Sequence, residues 1–99
     1  MDIKIHSVRF DADKKLLDFI NTKVSKLIQF NDDIIAAEVF LRLENSQDME
    51  NKITEIKVDI PGNNLFAKKQ GKTFEEATDL AVDALRKQVK KKKDKLRNN

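Results

Sequence analysis

The sequence predicts an α+β fold of order βαβββα, a four-stranded mixed sheet with two roughly parallel helices packed on one face. Three features point to it. Four segments alternate apolar and polar residues with the period of two that marks a strand. Two longer segments repeat their apolar residues at the 3.6-residue spacing of a helix. Short polar turns separate the last three strands, which makes those strands antiparallel neighbours. Each helical segment carries a single apolar stripe, so both helices belong on the same side of the sheet.

Residues 2–8 open the chain as a strand, with Ile3 and Ile5 alternating against Lys4 and His6. Asp13 stands where a helix N-cap belongs. Its carboxylate can accept from the free amides of the first turn and meets the positive end of the helix dipole. Over residues 14 to about 30, Leu16, Leu17, Ile20, Val24, Leu27 and Ile28 form one stripe. Lys15, Thr22 and Lys26 lie on the far flank and Lys23 at the margin. Asn31, Asp32 and Asp33 end the helix. The crossover back to a parallel neighbour should be right-handed.

The second strand spans residues 34–43, with Val39, Leu41 and Leu43 on its apolar face. Residues 45–51 are polar and turn-like. The third strand, about Lys52–Ile60, points Thr54, Ile56, Val58 and Ile60 one way and Ile53, Glu55, Lys57 and Asp59 the other. Pro61-Gly62-Asn63-Asn64 is a turn signal. A short last strand, residues 65–70, should lie at an edge, because Lys68 and Lys69 discourage further pairing. Thr73 with Glu76 forms a capping box for the final helix. Its inward stripe is Phe74, Ala77, Ala81, Ala84 and Leu85, and the alanines allow a close approach to the sheet. Beyond Val89 the stripe gives out: Lys92 and Lys95 occupy the turns where core residues would continue, and only Leu96 returns. This helix should pack with its first half and project with its second.

The chain has 99 residues, 39% hydrophobic and 37% charged. That size suits one domain over residues 1–99 with a single modest core, fraying only at its last residues. There is no internal repeat. With no cysteine there is neither a disulfide nor a thiolate metal site, which fits a reducing compartment. The start of the chain lacks an apolar signal core, and no run approaches the roughly 18 apolar residues that span a bilayer. The expected location is the cytoplasm.

Charge is segregated. Residues 86–97 hold eight bases (Arg86, Lys87, Lys90, Lys91, Lys92, Lys93, Lys95 and Arg97) against one acid, Asp94. Of the 20 Lys and Arg and 17 Asp and Glu, that leaves 12 bases and 16 acids elsewhere. An acidic body with a basic helix end points to a polyanionic partner. Dipole compensation and solubility would account for two or three lysines at a helix C-terminus, but not for this run. A membrane surface would require large apolar residues opposite the lysines, and Val89 and Leu96 are too few. Nucleic acid fits better. With no Tyr or Trp, and six Phe expected mostly on core stripes, phosphate contact is favoured over base stacking.

No catalytic constellation is legible. His6 is the sole histidine and reads as a surface or half-buried strand residue. Ser7, Ser25 and Ser46 lack a nucleophile-elbow context. Asp11 with Asp13, and Asp32 with Asp33, are explained by capping and turn roles, without the further oxygen ligands that a hard cation needs. Gly62 and Gly71 stand alone, so there is no phosphate loop. The expectation is a non-enzyme with no cofactor, no metal, no small-molecule substrate and no membrane partner.

Two stretches carry a family resemblance. Residues 87–97, K-Q-V-K-K-K-K-D-K-L-R, are similar to the R-Q-L-x-K-x-K-D-K-L-K of the ribosome hibernation promoting factor family, short form, also called ribosome-associated inhibitor or sigma-54 modulation protein. Residues 23–30, K-V-S-K-L-I-Q-F, resemble that family's K-x-x-K-L-x-x-Y/W. Asp13 stands at its helix-capping Thr, and Pro61-Gly62-Asn63 matches the turn before its last strand. The chain departs from the pattern at Thr73-Phe74-Glu75, where the family often has Asp-Met-Tyr. It departs again at Lys87, which replaces an Arg and so loses bidentate phosphate geometry.

The resemblance covers the whole chain and implies a βαβββα domain that binds the small ribosomal subunit between head and body. There it would overlap the mRNA path and the tRNA decoding sites, blocking translation and preserving idle ribosomes. By position it implies rRNA contacts at Lys23 and Lys26 on the first helix and at Lys87, Lys91, Lys93 and Lys95 on the second. Arg86 and Lys90 join them from charge and geometry alone. The implied partner is 16S-type rRNA of the small subunit, and dimerisation of ribosomes would need a separate dimerising factor. The competing reading is a double-stranded-RNA-binding module, which also ends in three antiparallel strands and a basic helix. Such modules place their lysines at the N-terminal end of that helix, where this chain has Glu75, Glu76 and Asp79. A third reading is an interaction protein whose basic end meets an acidic partner or membrane surface.

Overall fold

The computed structural model describes residues 2–44 and 51–97, with side chains from Ile3 to Lys92. The elements follow the order β1 (Asp2–Ser7), α1 (Lys14–Gln29), β2 (Ala36–Leu43), β3 (Lys52–Ile60), β4 (Asn63–Gly71) and α2 (Phe74–Arg97). The strands form one sheet in the order β1-β2-β3-β4, parallel between β1 and β2 and antiparallel across the other two pairs. This is the α+β, βαβββα arrangement expected from the periodicities. Most of the turn expected at residues 45–51 lies outside the described residues. Beside it, the Glu44 amide donates to the Asn51 carbonyl at 2.9 Å.

Register sets the core. Ile5 faces Val39, Val39 faces Ile56, and Ile56 faces Ala67. Alternate residues share a face, so this row crosses all four strands on one side. It meets Ile20, Val24 and Leu27 of α1 and Ala81, Leu85 and Val89 of α2 in one cluster, which puts both helices on that side. Ile20, Val24, Val39, Ile56 and Leu85 are completely buried. Burial of each such aliphatic side chain contributes about 1.5–3 kcal/mol. β1, β2 and β4 share one direction and each helix returns against the strand before it, so the helices run parallel. Lys23 accordingly pairs with Asp79, and further along both helices Phe30 lines the same groove as Arg86.

α2 approaches the sheet closely because Ala77 and Ala81, both fully buried, present only a methyl group. Thr78 is buried as well, its Oγ1 lying 3.3 Å from Oγ1 of Thr54 on β3, and each hydroxyl satisfies the other. The sequence stripe omits Thr78 and includes Ala84, which is only half-buried. A hydroxyl reads as solvent-facing until its partner across the interface is known. Gly71 permits the turn from β4 into α2: a Cβ there would lie 3.2 Å from the Ala77 amide nitrogen and from Glu76 Cγ.

Two strand starts differ from those expected. β2 begins at Ala36 rather than at residue 34, because the Ile34 amide is taken by the Asn31 carbonyl at 3.0 Å and closes a turn after α1. β4 begins at Asn63 and runs nine residues rather than six. Its turn contains only Pro61 and Gly62, since Ile60 already pairs with Asn63. Proline presets φ at the second turn position, and Gly62 takes the third at φ 77°, the arrangement of a type II turn. β4 is therefore a full-length outer strand, with Lys68 and Lys69 exposed on it.

Leu85→Ala should lower the unfolding free energy by about 2–5 kcal/mol, as loss of a fully buried leucine does. Lys91→Ala, on an exposed turn of the same helix, should change it by less than about 0.5 kcal/mol. Urea unfolding followed by circular dichroism distinguishes the two.

Candidate nucleic-acid interface

Both helices are held at their N-termini by the expected capping side chains, Asp13 and Thr73, the second making the Thr73 half of the expected capping box. Asp13 Oδ1 accepts from the Leu16 amide at 2.8 Å, and Thr73 Oγ1 accepts from the Glu76 amide at 3.0 Å. With the apolar stripes turned to the sheet, the remaining faces carry the basic residues. Lys23 is half-buried and Lys26 exposed on α1, while Arg86, Lys87, Lys90 and Lys91 are exposed along α2. The fold brings Lys23, Lys26 and Arg86 to one open groove of about 200 Å³ between the helices. Lys87 and Lys91 follow on the next ridge of α2, one turn apart. Lys93 and Lys95 lie on the helical backbone of α2, and their side chains fall outside the described residues.

The cations are not all free. Lys23 Nζ lies 3.1 Å from Asp79 Oδ1 across the helix pair and 5.4 Å from the centre of the Phe19 ring. Asp83 accepts from Arg86 at 2.9 Å and from Lys87 at 3.2 Å. Lys87 first, then Arg86, holds the Asp83 carboxyl below its ordinary range. Lys26, Lys90 and Lys91 have no acidic partner among the described residues. Asp83 lies one turn before the basic run of residues 86–97, which itself contains only Asp94. The spacing of Asp83 to Arg86 (three residues) and to Lys87 (four) was the signal available. Such exposed pairs are weak, so a phosphate can take the place of the carboxylate.

The phenylalanines depart most from expectation. Phe74 is buried and stacks on Phe10 with ring centres 5.0 Å apart. Phe10, Phe19 and Phe40 are half-buried, whereas Phe66 is 51% and Phe30 76% exposed. Phe30 is the C-cap residue of α1, just outside the apolar stripe, at the mouth of the groove that holds Lys26 and Arg86. The expectation that the six rings fall mostly on core stripes fails at Phe30 and Phe66, whose rings are exposed.

The opposite face of the sheet carries a separate polar set. His6 Nε2 lies 2.7 Å from Glu38 Oε2, and its ring stacks on Phe40 at 4.9 Å. Lys57 Nζ lies 3.8 Å from the other Glu38 oxygen, and Arg42 pairs with Glu55. His6 thus has a cross-strand partner that its sequence neighbours do not reveal. Among the described residues no three His, Cys, Asp or Glu come together as a metal-binding group. No helix there is long and apolar enough to cross a membrane.

The sequence profile of the family described as sigma 54 modulation protein / S30EA ribosomal protein matches residues 3–97. The chain belongs to this family. The resemblance carried by residues 23–30 and 87–97 is thereby borne out. A family relative from Klebsiella oxytoca named ribosome hibernation promoting factor is 28% identical over 99 residues, covering all of both chains. A solved structure of a ribosomal subunit interface protein from Coxiella burnetii superposes with a TM-score of 0.82 at 20% identity, over 94% of this chain and 98% of its own, and shows the common fold. The N-terminal domain of Thermus thermophilus Protein Y superposes with a TM-score of 0.76 at 28% identity, over 92% of this chain and 98% of that one. In this family member the groove-facing cations and their acidic partners therefore sit on a shared scaffold.

In an NMR pH titration, the Asp83 carboxyl should titrate below a free aspartate. Lys87→Ala should move its midpoint upward by more than Arg86→Ala does. Because the folded-state value is the lower one, any stabilisation from this carboxylate is complete above the ordinary Asp range. It is lost as pH falls through the depressed value.

Proposed function

We propose that this chain is a ribosome-binding dormancy factor. It occupies the mRNA and tRNA decoding channel of the small ribosomal subunit through its basic helix surfaces, inhibits translation and keeps idle ribosomes intact in the cytoplasm. The observation that carries this reading is the end-to-end match to a relative named ribosome hibernation promoting factor. The geometry supports it: cations of α1 and α2 border one groove, and the exposed turns of α2 continue the basic surface beyond Lys87. Lys23, Lys26, Arg86, Lys87, Lys90, Lys91, Lys93 and Lys95 contact phosphates of 16S-type rRNA, with residues 1–99 acting as one unit. Lys26, Lys90 and Lys91 engage directly, while Lys23, Arg86 and Lys87 exchange Asp79 or Asp83 for a phosphate. The activity is steric and needs no cofactor or bond-making step.

The duplex-RNA alternative meets an obstacle in α2, whose first turn carries Glu75 and Glu76 at the end where such modules grip phosphate. Sedimentation with small subunits over a salt series separates the readings. Wild-type protein should co-sediment and be displaced by mRNA with initiator tRNA, while excess free duplex RNA competes poorly. Replacing Lys26, Lys90 and Lys91 by Gln should flatten the slope of log K against log salt by about 2 to 3, since each lost phosphate contact removes roughly 0.7–0.9. An unchanged slope, or equal competition by duplex RNA, would overturn the proposal.

A further inference from the structure

The geometry points to a seat for one unpaired RNA base at the C-terminal end of α1, stacked on Phe30 in the mouth of the inter-helix groove. This deepens the ribosomal RNA reading above and rests on it for the source of the RNA. Phe30 is 76% exposed, more than any other large hydrophobic residue described, yet its backbone is anchored. Its own amide donates to the carbonyls of Lys26 and Ile28. The next residue, Asn31, is buried and donates from Nδ2 to the Leu27 carbonyl at 2.7 Å, while its amide bonds the Ile28 carbonyl at 3.1 Å. A flat apolar ring is thus held out in water on a fixed base, where stacking would cost little further ordering.

The surroundings select the occupant. The groove beside Phe30 has Leu27 and Val82 on its wall and Lys23, Lys26 and Arg86 around it, with Asp79 pairing Lys23, Asp83 pairing Arg86 from outside the lining, and Lys26 left for a phosphate. A base is apolar on its faces and arrives attached to phosphates, which matches an aromatic platform with cations on either flank. A protein helix would need a longer apolar strip than these two side chains supply. At about 200 Å³ the groove is smaller than the roughly 300–1,000 Å³ of drug-sized pockets, and fits one ring system. Phosphate contacts alone would leave Phe30 unexplained. A stacked base would fix the register of the protein on its RNA, which point charges cannot do.

The test uses the full chain and two probes. The first is a short single-stranded oligoribonucleotide carrying 2-aminopurine at its centre, with a matched strand that is abasic there. Wild-type protein should quench the fluorophore and bind the base-containing strand more tightly. Phe30→Trp should keep both effects. Phe30→Leu, which retains bulk without a π-face, should lose them and bind roughly 5- to 150-fold more weakly. Its salt slope should stay unchanged, because no ionic contact is removed. Thermal unfolding of both variants should match wild type, since the ring is exposed. Equal binding of the base-containing and abasic strands, or Phe30→Leu behaving as wild type, would overturn the seat.

The second probe is the purified small ribosomal subunit. Failure of the wild-type protein to bind it would remove the ribosomal reading and leave the oligonucleotide result to stand alone. Phe30-dependent subunit binding without any base dependence on the oligonucleotide would assign Phe30 to a ribosomal protein contact, and would likewise overturn the base seat.

Discussion

The close seating of α2 on β3 and β4 is the constraint from which the rest of the molecule follows. Ala77 and Ala81 bring the helix down to the sheet, Thr78 meets Thr54, and Gly71 leaves the corner empty so that the chain can turn into the helix. None of these contacts is large. Together they leave little freedom to the helix axis, and Leu85 and Val89 extend the seam to the last buried side chain described. α1 then has one place to lie, alongside α2 over β1 and β2, and the groove between them inherits its shape from both stripes. A helix of 24 residues is about 36 Å long at the usual rise, and the seam from Phe74 to Val89 uses roughly two thirds of it. What remains is held in direction by the packed seam that precedes it.

Much of this was legible in the residues. Alternation at Val39, Leu41, Ile56 and Val58 found the strands, and the caps at Asp13 and Thr73 found the helix starts, because these signals are local. Local signals do not reach residues whose role depends on something distant in the chain. The Thr78 hydroxyl looks solvent-facing until Thr54 is placed against it, and His6 lacks a partner until β2 brings up Glu38. β4 starts two residues before the expected position for another reason. Asn63 and Asn64 carry turn-forming side chains, yet Pro61 and Gly62 complete the reversal alone, and the asparagines pair as strand. Phe30 shows the same limit at the site: an aromatic at the margin of a stripe can turn either way, and the turn after Asn31 decides it.

The electrostatics are more mixed than the charge run suggests. Asp79 and Asp83 sit among the cations and satisfy three of them in the free protein. A surface built in this way discriminates by geometry as well as by charge. A phosphate placed where it can replace a carboxylate gains a partner, and one placed elsewhere meets repulsion from the same acid. On the proposed ribosomal RNA reading, such a surface would discourage loose association with any RNA while keeping contact where the spacing is right. Lys26, Lys90 and Lys91, uncommitted among the described residues, supply attraction at longer range.

The face of the sheet turned away from the helices has a practical use. His6, Phe40, Glu38 and Lys57 form a layer across β1, β2 and β3 that points opposite to the groove. A dye or spin label attached there would ride on a rigid sheet without touching the basic helices. The chain has no cysteine of its own, so a single introduced thiol on that side would be the sole attachment point. The occupancy and orientation of the bound protein could then be followed from its back.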